Sequence, residues 1–157
     1  MQTVHPTLFL PDAEAMTRFA ARLAPHLRGG DVLLLEGPIG AGKTHFARAL
    51  IQTLLAQPED VPSPTFTLVQ TYEGPGFDIW HADLYRLTHP DEALELGLTD
   101  AFETALCLVE WPERLGRDRP KTALTMLFSV ENDDTRRLVL CSANPDWAAR
   151  LKGLDDV

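Results

Sequence analysis

Residues 37–44 read Gly37-Pro38-Ile39-Gly40-Ala41-Gly42-Lys43-Thr44, which fits G-x-x-x-x-G-K-[ST] at every defined position. A stretch of this kind wraps main-chain N–H groups around phosphate oxygens. Its glycines allow the positive φ angles of the turn and put no side chain in the way. A following helix aims its positive N-terminal end at the same anion. Lys43 adds a full charge beside the β- and γ-phosphates, and the Thr44 hydroxyl can ligate magnesium. The expectation is a nucleoside triphosphate site.

Magnesium on a phosphate calls for a carboxylate, normally at the C-terminal end of a neighbouring apolar strand. Leu106-Cys107-Leu108-Val109-Glu110 is a clean apolar run ending in an acid. Phe77-Asp78-Ile79-Trp80-His81-Ala82-Asp83 also ends in one, but Asp78 and His81 interrupt its pattern. Both acids are candidates, and the pattern leaves open which ligates metal and which orients water.

Other residues carry weaker signals. Two prolines hold Val61-Pro62-Ser63-Pro64-Thr65-Phe66-Thr67 extended, so its hydroxyls either approach the γ-phosphate or face solvent on a rigid connector. Trp111, read alone, is core or rim packing. Arg114, Arg117 and Arg119 form a small basic cluster in an acidic half of the chain. That cluster is either a solvated loop or an arginine lid of the kind that closes over phosphates in small-molecule kinases. His5, His26, His45, His81 and His89 show no metal-ligand spacing.

The elements needed to position these residues are legible as alternating strands and helices. A strand is expected at Thr3–Leu10. Asp12 then caps a helix whose Met16, Phe19, Ala20, Leu23 and Leu27 recur at helical spacing, stopped by Arg28-Gly29-Gly30-Asp31. Val32-Leu33-Leu34-Leu35-Glu36 is an apolar run without alternation, as in a strand buried on both faces of a parallel sheet. It feeds the glycine-rich turn and a helix from about Lys43 to Ala56. Further strands are expected at 66–72, 77–82, 105–110, 124–130 and 138–141. Turns at Glu73-Gly74-Pro75-Gly76 and Glu131-Asn132-Asp133-Asp134 mark two hairpins. His89-Pro90-Asp91 opens a short helix that Gly97 stops. The pattern predicts one three-layer α/β domain over residues 1–157, built on a mixed sheet.

Composition narrows the function classes. The chain has 157 residues, 45% hydrophobic and 24% charged, and a formal net charge of −9. Eight acids against Arg86 and Arg114 lie between Asp83 and Arg114. Such a face repels a phosphate backbone, so direct nucleic-acid binding is not expected. Cys107 and Cys141 sit in no Cys/His cluster and read as buried strand thiols. The longest aliphatic run, Val32–Leu35, is far short of the ~20 residues that span a bilayer, and the N-terminus lacks a basic-then-apolar leader. A cytoplasmic, unprocessed protein with no membrane contact is expected.

The Gly37–Thr44 turn, Ser63-Pro64-Thr65-Phe66-Thr67-Leu68-Val69, His81-Ala82-Asp83-Leu84-Tyr85-Arg86-Leu87 and Cys107-Leu108-Val109-Glu110-Trp111-Pro112 together resemble the TsaE family, formerly YjeE, over about residues 7 to 145. The resemblance implies a P-loop NTPase fold with a central parallel sheet flanked by antiparallel strands. It implies weak ATP hydrolysis with ATP and Mg2+, in a complex with TsaB and TsaD that builds threonylcarbamoyladenosine next to the tRNA anticodon, tRNA being met only through that complex. TsaD would perform the transfer, and ATP would reset the assembly. By family motif, Lys43 holds phosphate, Thr44 and Glu110 hold magnesium, and Asp83 assists hydrolysis beside the metal. Trp111 and the 63–67 loop, with Thr65, sit at the nucleotide and partner-facing side. Two positions depart from the pattern: His45 replaces a second threonine, keeping the N–H for the α-phosphate but losing the hydroxyl, and Pro38 stiffens the loop. The alternatives are a small-molecule kinase with an Arg114/Arg117/Arg119 lid and a regulatory GTPase. Against the latter, neither Asn132 nor Asn144 lies in an N-K-x-D motif.

Overall fold

The computed structural model describes residues 3–55, 59–62 and 68–154. Its seven strands are β1 (Thr3–Leu10), β2 (Val32–Glu36), β3 (Val69–Glu73), β4 (Asp78–Asp83), β5 (Leu106–Glu110), β6 (Leu124–Val130) and β7 (Arg136–Ser142). They form one sheet in the order β1-β7-β6-β2-β5-β4-β3. The middle four, β6, β2, β5 and β4, are parallel. Antiparallel strands flank them: β7 and then β1 on one side, β3 on the other. The expected fold class is therefore present, with both hairpins where the turn residues put them.

The strand Val32–Glu36 lies at the centre because its leucines have apolar neighbours on both faces. Leu33 and Leu35 join one core with Leu106, Leu108, Met126 and Phe128. Helices α1 (Ala13–Leu23) and α2 (Lys43–Leu54) cover that face. Phe46 of α2 packs between Phe19 and Phe128, with ring centroids 6.1 and 5.7 Å away. Val32 and Leu34 point to the other face, into a second core with Cys107, Val109, Leu84, Leu98 and Leu115. There the cover comes from α3 (Asp91–Glu95), α4 (Leu98–Ala101) and a 3-10 segment at Pro112–Asp118. Helix, sheet and helix give the three layers.

Local chemistry sets the boundaries. The Asp12 carboxylate accepts from the Ala15 amide at 2.8 Å and starts α1. Gly97, with φ of 83°, follows α3 as the expected stop, and the short helix α4 beyond it was not expected. Helix α2 ends at Leu54 rather than Ala56, which lies outside the described residues, as do residues 66–67 of the expected 66–72 strand. The described part of that strand runs from Val69 to Glu73. The last strand is longer than expected at both ends because Arg136 and Ser142 pair with β1. A final helix, α5 (Asp146–Arg150), was not expected; five residues are too few to show a period. It is held by burial of Trp147, whose indole N–H donates to the Thr122 carbonyl at 3.1 Å, and by Arg150, which stacks on that ring and pairs with Asp31. Both cysteines are free and buried on strands, and burial pushes the Cys107 thiol up to about 12. Among the described residues no helix is long and apolar enough to cross a membrane.

Candidate functional site

Three parallel strands end together on the edge of one cleft. Glu36 closes β2, Asp83 closes β4 and Glu110 closes β5, and Asp83 and Glu110 are direct register partners. The cleft beyond these ends is about 460 Å³ and is lined by the glycine-rich turn, Lys43, Thr44, His45, Asp83, Tyr85, Arg86, Glu110 and Trp111. Ligands of open α/β sheets sit at this carboxyl end of the strands.

The turn has the shape its sequence requires. Gly37, Gly40 and Gly42 have φ of 145°, 86° and 104°. At Gly37 a side chain would also collide with the Phe128 carbonyl, and at Gly42 a Cβ would lie 2.8 Å from the Met16 methyl. The turn thus needs glycine both for its backbone angles and for its packing. Pro38 fits without disturbing it, its carbonyl accepting from the Ala41 amide at 3.2 Å. Ile39 is exposed at the tip and Ala41 is buried beneath.

Lys43 is buried at the start of α2, and its ammonium donates to the Gly37 carbonyl at 2.6 Å. It also stands 3.6 Å from the centroid of the Trp111 ring, a cation–π arrangement. Burial pushes the Lys43 ammonium below the usual lysine range, against the pull of Glu110, Glu113 and Asp83. Trp111 is the one non-glycine residue with positive φ among the described residues, at φ 60° and ψ 52°. Backbone strain of that kind is tolerated where a side chain must be aimed. Here it turns the indole toward Lys43 and against Tyr85, 5.0 Å between centroids. Trp111 is therefore not simple core packing.

The two acids differ. Glu110 is buried; its Oε1 accepts from the Thr44 hydroxyl at 2.8 Å and its Oε2 from His81 Nε2 at 2.7 Å. Asp83 is half-buried, and the one described hydrogen bond to its carboxylate comes from the Tyr85 amide at 3.1 Å. Burial pushes the Asp83 carboxyl above its ordinary value, with the Glu110 charge adding to the rise and the Tyr85 amide opposing it. The hydroxyl of Thr44 and the two carboxylates are hard oxygen donors of the kind magnesium takes. No group of three or more His, Cys, Asp or Glu forms among the described residues. Magnesium that keeps water and phosphate oxygens as ligands needs only one or two carboxylates.

His45, at the position following Thr44, turns away from the turn toward α1. Its Nε2 is 3.0 Å from the Thr17 hydroxyl and 3.1 Å from the Ala13 carbonyl. Thr65 and the rest of the 63–67 loop lie outside the described residues; before it, Arg48 of α2 donates to the Val61 carbonyl at 2.9 Å. The arginine lid is not assembled. Arg119 makes a two-pronged pair with Glu36 at 3.0 and 3.2 Å, and none of Arg114, Arg117 and Arg119 lines the cleft. Arg114 and Arg117 lie within the 3-10 segment Pro112–Asp118, which Arg119 follows, and not in an open loop. Sequence reasoning missed His81. It reads as a break in an apolar strand, and that break, a polar residue at an inward position two before an acid, was the available signal.

Comparison with known proteins bears on the family and the fold. Residues 10–138 match the family model described as threonylcarbamoyl adenosine biosynthesis protein TsaE. The protein of that name from Rickettsia bellii is 36% identical over 147 residues, covering 94% of this chain and 100% of its own. Its Bacillus subtilis counterpart is 34% identical over 138 residues, covering 87% of this chain and 81% of its own. The crystal structure of YdiB from Bacillus subtilis superposes with a TM-score of 0.76 at 25% identity, over 97% of this chain and 95% of that one. Four parallel strands, the glycine-rich turn and the matched length make one statement: the chain is a three-layer α/β protein of the P-loop type and belongs to the TsaE family.

Proposed function

We propose that this protein is a magnesium-dependent ATPase that assists a TsaB–TsaD complex in making threonylcarbamoyladenosine in tRNA. The observation that carries the reading is the Thr44–Glu110 hydrogen bond at 2.8 Å, which joins the phosphate-binding turn to the strand that supplies its acid. Main-chain amides of 37–44 would hold the β-phosphate, with Lys43 releasing the Gly37 carbonyl to reach the β- and γ-oxygens. Thr44, with Glu110 and Asp83 behind it, would hold magnesium, which when bound neutralises charge on the phosphates. Asp83, whose raised carboxyl accepts a proton more readily than an exposed one, is the group to orient the attacking water. Trp111 packs on the ammonium side of the cleft and excludes solvent from Lys43.

The acidic surface agrees with a component that leaves tRNA contact to partners. A small-molecule kinase lacks support here, since Arg119 is committed to Glu36. The test is ATP turnover by the purified chain alone and with TsaB–TsaD. A several-fold rise that requires Mg2+ is expected. Equal turnover at saturating partner, or transfer of phosphate to a metabolite, overturns the reading.

A further inference from the structure

We propose that His81 is a positioning residue that locks the Glu110 carboxylate in the orientation it presents to Thr44 and the metal. The inference rests on the reading of the cleft as a magnesium–nucleotide site and adds a residue to it.

His81 stands on the middle of β4, between Gln70 on β3 and Leu108 on β5, on the sheet face that α2 covers. It is 1% exposed and Glu110 is 2% exposed. A carboxylate oxygen only accepts, so the imidazole nitrogen 2.7 Å from Oε2 carries the proton and donates it. The other ring nitrogen, Nδ1, is buried with no hydrogen-bond partner among the described residues. The fold gains little from such a side chain: an aliphatic residue would fill the strand position without an orphaned nitrogen. Among the described residues, the one polar contact of the His81 ring is with Glu110.

That contact has a definite consequence for Glu110. With Oε2 taken by His81, only Oε1 faces α2, where the Thr44 hydroxyl donates to it. The carboxylate cannot rotate or present both oxygens to the cleft, and the Thr44 hydroxyl is left with its lone pairs free to face a cation. Groups that hold a ligating carboxylate are worth about ten- to a hundredfold in metal affinity when removed. His81, Glu110 and Thr44 thus form a relay from β4 through β5 to α2, three elements that only the fold brings together.

Three variants separate this role from simple packing. His81→Gln can place its amide nitrogen where Nε2 stands and keep the donor. His81→Leu removes it, and His81→Asn is too short to reach Glu110, so it gives the same readout if the leucine variant does not fold. ADP binding is measured by titration calorimetry across a magnesium series and in EDTA, and each variant is crystallised. The expected result is a ten- to hundredfold rise in half-saturating magnesium for Leu and Asn, a value within about threefold of wild type for Gln, and unchanged ADP affinity in EDTA. Crystals of the Leu or Asn variant should show Glu110 turned from Thr44. An unchanged magnesium response, or Glu110 still bonded to Thr44 without His81, overturns the proposal. If the wild-type protein shows no magnesium-dependent ADP binding, the nucleotide reading falls, and the position of Glu110 in the variant crystals still decides the role of His81.

Discussion

Asp83 and Glu110 are neighbours in register, yet they stand in different electrical surroundings. Glu110 has two side-chain donors, whereas Asp83 has a single amide and is raised chiefly by burial. A carboxyl raised in the folded state binds more protons there than in the unfolded chain, so it contributes a penalty that grows as pH climbs past its ordinary value of 3.8. Asp83→Asn, which can still accept from the Tyr85 amide, should therefore raise the thermal midpoint at pH 7 to 8. The gain should vanish as pH falls below the ordinary carboxylate range; equal gains at pH 3 and pH 8 would contradict the assignment. The same change should lower partner-stimulated ATP turnover roughly a hundredfold or more if Asp83 orients water. Lys43→Ala removes a charge-assisted contact, worth roughly 1.5–3 kcal/mol, so ATP affinity should fall about ten- to a hundredfold by fluorescence titration.

Helix α2 carries Lys43 and Thr44 on its first turn and Phe46 immediately after, so one element both aims the site and anchors it. Phe46→Ala should cost about 3–5 kcal/mol by denaturant unfolding, because the Phe19 and Phe128 rings on either side cannot close the gap. A loss under 1 kcal/mol would mean that α2 is not fixed by this packing. The helix was legible because its glycine-rich start is a local signal, as was Val32–Glu36, whose unbroken leucines state burial on both faces. Elements short of a period were not: α5 and the 3-10 turn at Pro112–Asp118 exist through burial of Trp147 and Leu115. Arg119 misled because its charge was visible and its partner, 83 residues away at Glu36, was not. His81 was hidden for the same reason, its partner being 29 residues away.

No single element owns the cleft: it exists only when β2, β4, β5 and α2 have been ordered against one another, with both cores closed. The order β1-β7-β6-β2-β5-β4-β3 is a set of long-range pairings that strand patterns do not encode, so the direct register pairing of Asp83 with Glu110 is seen only in the folded sheet. A ligand held by all four elements binds the folded chain and not the unfolded one, so occupancy must stabilise the whole molecule. At a hundred times its dissociation constant a ligand adds about 2.7 kcal/mol. In a domain of this size each kcal/mol moves the midpoint by about 2–4 °C. ADP with Mg2+ should thus raise the thermal midpoint by about 5–10 °C in scanning calorimetry. The shift should shrink in EDTA and be largely lost in Lys43→Ala, yet persist in Phe46→Ala wherever that variant remains folded, since its cleft residues are intact. A midpoint that stays put in millimolar ADP and Mg2+ would mean that the amides of 37–44 hold no phosphate.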